Sequence, residues 1–196
     1  MNLRTMLALA FSATLAACAT TVDKASPEAP PVPPAPVSAF EKAIVRERII
    51  VAGQPTLEDL KSLSERGIVH VFNVRSAEEM DPALIGFDEA AELAKLGVGY
   101  SNHPISAAAS YTPELLAAFA KQVEASSGKV LLHCTVGSRA SQIYAAYAMK
   151  HLGLSPDEAI RTMEPVGNWP LALERLTGEP LALVRRDAFI KAGFED

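Results

Sequence analysis

The chain has 196 residues, 49% of them hydrophobic and 21% charged, enough for one globular domain of ordinary size. Its formal net charge of −5 excludes a general nucleic-acid binder, which carries a basic face, while leaving room for a local basic pocket. The two cysteines, Cys18 and Cys134, stand in unrelated surroundings.

The chain begins MNLRTMLALAFSATLAACATT. Arg4 supplies a positive start, and Met6 to Leu15 form an apolar stretch too short to span a bilayer comfortably. LAAC follows at 15–18. This resembles a bacterial lipoprotein signal, in which the chain is cut before the cysteine and that cysteine is lipidated. The resemblance implies a signal at residues 1–18, a lipid anchor at Cys18 as the link to a membrane, and a place in the bacterial cell envelope facing the periplasm. Residues 19–38 are rich in Pro and Ala, lack periodicity and favour extended polyproline II, so they read as a spacer. A domain then runs over 39–196.

Within it, RIIVAG at 48–53 predicts a short strand. Thr56 and Asp59 predict a capping box for a helix that stops at Gly67, with Leu57, Leu60 and Leu63 as its apolar stripe. IVHVFNVR, Ile68 to Arg75, predicts a buried strand from its β-branched residues. SAEEMDPALIG reads as a loop, followed by a helix from Phe87 to Leu96. VGYSNHPI predicts a third strand. Thr112-Pro113-Glu114 starts a helix that reaches Ala125, with Thr as cap and Pro in the first turn. KVLLHC is a fourth strand, Ala140 to Leu152 a helix ended by Gly153, and Ser155-Pro156-Asp157-Glu158 the start of another. Strands alternating with helices imply an α/β fold with a mostly parallel central sheet flanked by helices. In such folds ligands bind at the carboxyl ends of the strands, and Cys134 stands at one.

HCTVGSRAS, His133 to Ser141, carries the chemistry. A loop between a strand and a helix N-terminus turns several backbone N–H groups inward, and these favour an anion and a thiolate. Gly137 permits the tight turn. Arg139 offers a planar fork for two oxygens of a tetrahedral anion. Cys134 is therefore the candidate nucleophile, Arg139 the oxyanion holder, and Thr135, Val136, Gly137 and Ser138 the cradle.

HCTVGSRA resembles the active loop of cysteine-dependent phosphatases and that of rhodanese-type sulfurtransferases. AGQPTLEDLKSLSERGIVHVFNVRSAEE, LGVGYSNHPI and GKVLLHCTVGSRAS together resemble the phosphatase-like domain of beta-lactamase hydrolase-like proteins, the DUF442 family, over roughly residues 49 to 165. That resemblance implies a fold like that of dual-specificity phosphatases and places Arg75, which follows NV at the end of a predicted central strand, near the cysteine loop as a second cation for substrate. Two departures stand out. The usual phosphatase loop has five residues between Cys and Arg, and here there are four, as in rhodanese-type loops. Ala140 occupies the place of the usual hydroxyl after the arginine, with Ser141 one place on and Ser138 just before the arginine.

A phosphatase of this class needs a proton donor for the leaving oxygen. No Asp occurs between Asp88 and Asp157, so the candidates are Glu78, Glu79, Asp81, Glu114 and His103. His133 is better suited to ordering the loop than to moving a proton, and Trp169 reads as a core or lid residue. The four histidines lack metal-ligand spacing, and no Walker or dinucleotide glycine pattern occurs, so no cofactor is implied. The leading expectation is a cysteine-dependent phosphatase-like hydrolase acting on a small anionic or phosphorylated substrate. The alternatives are a sulfurtransferase that forms a Cys134 persulfide and a non-catalytic envelope module that binds an anion or a protein.

Overall fold

The apolar runs at 49–52, 68–73 and 130–132 become the middle of a sheet because each can be covered on both faces. In the computed structural model, residues 37–163 and 172–181 are described. The expected signal and Cys18, nearly all of the spacer, and Trp169 lie outside them. The chain divides into a unit of residues 1–35 and a unit of residues 36–196, and every described residue belongs to the second.

The strands are β1 (Ile44–Arg46), β2 (Ile49–Ala52), β3 (Ile68–Asn73), β4 (Gly99–Asn102) and β5 (Lys129–His133). They lie in the order β1-β2-β5-β3-β4. Only β1 runs antiparallel to its neighbour, through a tight turn at Glu47-Arg48 where Glu47 has φ +43°. The pairs β2/β5, β5/β3 and β3/β4 are parallel. Ala52 and Asn73 both register against His133, so the three central strands end level beside Cys134.

The helices are α1 (Leu57–Lys61), α2 (Pro82–Ile85), α3 (Glu89–Lys95), α4 (Pro113–Ala125), α5 (Ser138–Leu152), α6 (Pro156–Arg161) and α7 (Leu173–Thr177). On one face of the sheet Val51, Phe72, Leu132 and Cys134 pack with Leu116 and Phe119 of α4, Ile143 and Tyr144 of α5, and Leu173 and Leu176 of α7. On the other, Ile50, Val71 and Leu131 pack with Leu60 and Leu63 and with Leu93 of α3. Each such large apolar side chain contributes about 1.5–3 kcal/mol on leaving water. No helix among the described residues is long and apolar enough to cross a membrane.

Two local expectations are corrected. The segment read as a loop at SAEEMDPALIG contains a 3-10 turn at Glu78–Met80 and then α2. Asp81 caps α2 by accepting from Ala83 N at 2.9 Å, Pro82 stands in the first turn, and Gly86 ends it at φ +87°. The helix opened by the Thr56–Asp59 capping box is regular only over Leu57–Lys61, and successive turns carry the chain on to Gly67. Strand β1 had no sequence signature, being three residues long with Val45 and Arg46 exposed.

Candidate active site

Strand β5 delivers Cys134 and helix α5 takes the chain away. Gly137 is the N-cap of α5 at φ +90°, a conformation costly for any residue with a Cβ. That turn points the Gly137 N–H at Cys134 Sγ, 3.2 Å away. The sulfur is sealed from solvent at 0% exposure, while Val136 at the loop tip is 67% exposed. The loop is backed by β2. Gln54 N donates to Thr135 O at 3.0 Å, and a Cβ on Gly53 would stand 3.0 Å from that same carbonyl. Ser138 opens α5, and its carbonyl accepts from Ser141 Oγ at 2.9 Å.

Arg139 turns inward rather than out to solvent. One terminal nitrogen donates to Glu79 Oε2 at 2.7 Å and to the Ile105 carbonyl at 2.8 Å. The other donates to Glu79 Oε1 at 2.7 Å and to Thr135 Oγ1 at 2.9 Å. Thr135 Oγ1 in turn donates to Glu79 Oε1 at 2.7 Å. Glu79 also accepts from Ser76 N at 2.9 Å. The Arg139 hydrogen bonds hold the Glu79 carboxyl down at about 2; partial burial opposes this, and Ser76 and Thr135 add to it. Glu79 is thus a carboxylate gripping the arginine, and as placed it has no proton to give.

The other candidate acids are exposed or engaged elsewhere. Asp81 is exposed and committed to capping α2. Glu114 is exposed in the first turn of α4, where backbone and Thr112 hydrogen bonds favour its charged form. Glu78 is exposed on the 3-10 turn. His103 stacks on Phe72 with ring centroids 4.4 Å apart, and burial lowers its pKa, so it is neutral at physiological pH. Among the described residues no three His, Cys, Asp or Glu side chains stand together as a metal site.

Beneath the loop lies a polar network with no forewarning in the sequence. Glu89, at the start of α3, is 1% exposed. Its carboxylate accepts from Gln54 Nε2 and from Asn73 Nδ2, each at 2.9 Å. His133 Nε2 lies 3.3 Å away, too poorly aligned for a full hydrogen bond. Burial would raise the Glu89 pKa, but the nearby His133 ring and the hydrogen bonds from Gln54 and Asn73 outweigh it, and the net shift is downward. Asn73 Nδ2 also donates to Tyr100 O–H at 3.0 Å. Gln54 Oε1 accepts from Arg75, which is buried and whose Nε makes no hydrogen bond. Arg75 therefore leans on Gln54, while Glu79 is taken by Arg139. Tyr111, on the segment between β4 and α4, is half-buried, and burial pushes its phenol pKa up. The sequence signal for Glu89 was faint: it lies four residues before Leu93, on the face of α3 that meets the core. Gln54 sits in the GQPT stretch that carried the family resemblance.

Residues 41–150 match the family model of the beta-lactamase hydrolase-like protein, phosphatase-like domain. The chain belongs to this family. A beta-lactamase hydrolase-like protein of Xylella fastidiosa strain Temecula1 is 31% identical over 102 residues, which are 52% of this chain and 23% of that protein. One of Agrobacterium fabrum is 30% identical over 100 residues, 51% of this chain and 23% of that protein. The chain thus spans about a quarter of the length of these relatives. Among solved structures, Tk-PTP in its active form superimposes with a TM-score of 0.57 at 22% identity, over 71% of this chain and 98% of that one. PTPMT1 in complex with PI(5)P gives 0.54 at 21% identity, over 66% and 88%. Pseudomonas aeruginosa TpbA, solved as a variant in complex with pTyr, gives 0.51 at 17% identity, over 67% and 76%. These likenesses show the fold: the α/β architecture of phosphatase-like proteins, with a mostly parallel sheet between helices.

Proposed function

We propose that this phosphatase-like domain hydrolyses phosphate monoesters through the Cys134 thiolate. The observation that carries the reading is the placement of the Cys134 sulfur 3.2 Å from the Gly137 N–H at the head of α5, with Arg139 turned toward the same loop. Amide dipoles and a guanidinium stabilise the negative charge that builds on a transferring phosphoryl group. In the first step sulfur attacks phosphorus and the bond to the leaving oxygen breaks. In the second, water attacks phosphorus and the thiolate departs. Arg139 and the loop N–H groups of 135–139 hold the phosphoryl oxygens through both steps. Arg75 adds a second positive charge behind the loop. The phosphorylated ligands in the PTPMT1 and TpbA structures support a phosphorylated substrate. The lipobox at 15–18 supports an anchored position on the exported side of a bacterial membrane, through Cys18.

The loop of four residues between Cys134 and Arg139 favours a second reading, sulfur transfer through a Cys134 persulfide. One experiment separates them. The purified chain is assayed for p-nitrophenyl phosphate hydrolysis and for thiosulfate:cyanide sulfur transfer, alongside Cys134→Ser and Arg139→Ala. Phosphate release that both substitutions abolish supports hydrolysis. Release that survives Cys134→Ser overturns it. Thiocyanate formation with a trapped persulfide selects the second reading.

A further inference from the structure

Strands β2, β3, β4 and β5 run parallel, so their carboxyl ends share one end of the domain, where the cysteine loop sits. The chain arriving from the spacer is fastened at this same end. Asp59, in the first turn of α1 and only 6% exposed, holds it there. Its Oδ1 accepts from Ser38 Oγ at 2.6 Å, and its Oδ2 accepts from Ala39 N and from Thr56 N, each at 3.0 Å. Phe40 then packs against the cluster of Ile50 and Leu60, with the Arg66 guanidinium 4.0 Å from its ring centroid. Two places before Thr56 stands Gln54, whose N–H donates to Thr135 O at 3.0 Å. The root of the spacer is thus joined to the Cys134 loop through Asp59, Thr56 and Gln54. Single exposed apolar side chains are ordinary on a protein surface. Here the three most exposed large ones among the described residues, Leu84 at 73% and Val37 and Val136 at 67%, all belong to this end. Val37 precedes the Ser38 fastening. Val136 is the tip of the cysteine loop, and a Cβ on Gly53 would stand 3.4 Å from its Cα. Leu84 lies on the excursion between β3 and α3. That excursion meets the loop where Glu79 accepts from Thr135, and it returns at Glu89, which accepts from Gln54 and Asn73.

We propose that this end of the domain is a lipid-facing surface, set by Val37, Leu84 and Val136 against the bilayer that carries the Cys18 anchor, and that the Cys134 site takes phosphate monoesters of amphiphiles in that bilayer. The proposal rests on the anchored phosphatase reading. Fully extended, the spacer over 19–37 spans about 65 Å at most, so the anchor keeps the domain at an effective concentration on the order of millimolar at the surface. Because the spacer is rooted at the site end, that end meets the bilayer without the chain having to pass around the fold. A few apolar side chains do not hold a domain on a bilayer by themselves. The anchor supplies the local concentration, and the three side chains supply the orientation. The net charge of −5 opposes a strongly anionic surface, so the matching bilayer is mainly zwitterionic, with the phosphorylated amphiphile a minor component.

The test uses the full chain from an exporting bacterium, with the lipid on Cys18 read by intact mass, reconstituted into phosphatidylcholine vesicles. Orientation is measured with Leu84→Trp and Leu152→Trp, using phosphatidylcholine brominated on an acyl chain as quencher and wild type as the background for Trp169. Leu152 is 47% exposed and closes α5 at the far end, about 22 Å of helix from Ser138. The added emission of Leu84→Trp should be quenched at least about 2-fold more than that of Leu152→Trp. Equal quenching, or stronger quenching of Leu152→Trp, overturns the proposal. Function is measured with Val37→Gln combined with Leu84→Gln, two exposed and uncharged changes outside the cysteine loop, after thermal unfolding shows a wild-type Tm. Hydrolysis of phosphatidate in the vesicles should fall about 10-fold, and hydrolysis of p-nitrophenyl phosphate should stay within about 2-fold. Equal effects on the two substrates overturn the proposal, and so does a wild-type chain that hydrolyses p-nitrophenyl phosphate but not phosphatidate. Faster release from a soluble phosphotyrosine peptide than from phosphatidate overturns it in favour of a protein substrate. Failure of the underlying readings shows separately. A chain without lipid on Cys18 ends the anchored reading, absence of Cys134-dependent release from p-nitrophenyl phosphate ends the phosphatase reading, and the proposal falls with either.

Discussion

Arg139 and Glu79 meet end to end, with both carboxylate oxygens 2.7 Å from the two terminal guanidinium nitrogens, across sixty positions of sequence. The contact joins helix α5 to the 3-10 turn after β3 and sets the plane of the arginine fork. A planar cation held by two parallel hydrogen bonds loses little freedom when an oxyanion arrives. Glu79→Gln keeps the shape but replaces one acceptor with an amide, leaving the fork loosely held. The expected outcome is a fall in kcat/KM for p-nitrophenyl phosphate of about 10- to 100-fold, in the range of misplaced catalytic groups. Steady-state kinetics check it, and unchanged kinetics would show that the arginine orients itself.

The same pair sets a pH signature in stability. Glu79 titrates at about 2 in the folded chain, below the usual glutamate value of 4.5. A depressed folded-state pKa contributes stability that is fully present above the unfolded value and is lost as pH falls through the folded one. The side chain is 32% exposed, so screening keeps the contribution below about 1 kcal/mol. Wild type and Glu79→Gln should therefore differ by a constant amount in urea unfolding above about pH 5, and the gap should narrow between about pH 4.5 and 2. A gap that widens on acidification would reverse the assignment.

What could be read from the sequence was local. Thr112 and Pro113 mark the start of α4 correctly because a cap and an N1 proline act within one turn. Thr56 and Asp59 form the expected capping box, each bonded to the other's backbone. KVLLHC before the loop and the helix-forming run from Ala140 after it mark a strand-to-helix loop, because each pattern is continuous in sequence. Glu79 looked like a spare acid, since nothing in SAEEM shows that Arg139 folds back onto it. Glu89 carries no mark of its role in the sequence, since its partners come from the segment after β2 and from β3 and β5. Pairings between distant segments carry no short-range signature, and the electrostatics of this site consist of such pairings.

Gly53 gives a sharper test of how tightly the cysteine loop is supported. A Cβ there would stand 3.0 Å from Thr135 O and 3.4 Å from Val136 Cα, both backbone atoms of the loop. The loop must retreat by a few tenths of an ångström to admit it. Gly53→Ala should cost about 1–2 kcal/mol in stability. It should also raise the inhibition constant for inorganic phosphate several-fold, because the N–H cradle moves with the loop. Phosphate inhibition with and without the substitution measures this, and equal affinity would show that the loop adjusts without moving its donors.

Glu89 holds the platform on which that loop stands. Its carboxylate is the shared acceptor for Gln54 and Asn73 and lies 3.3 Å from His133 Nε2, with the side chains of Glu89 and His133 both fully buried. Removing it takes one acceptor from each of two amides, which keep only their second acceptors, and the partner from a buried imidazole, a loss of about 2–3 kcal/mol. Glu89→Ala should therefore lower the Tm by more than about 5 °C. Glu89→Gln keeps one acceptor oxygen but turns an amide NH2 toward another donor, so its Tm should fall between Glu89→Ala and wild type. The damage reaches the site because Gln54 also receives the Arg75 guanidinium and, through its backbone N–H, holds the Thr135 carbonyl. Cys134-dependent hydrolysis should fall in the same order as the melting temperatures, read at a temperature where all three chains are folded. Loss of stability without loss of rate would confine Glu89 to the core, and full stability in Glu89→Ala would mean that the buried network holds without its carboxylate.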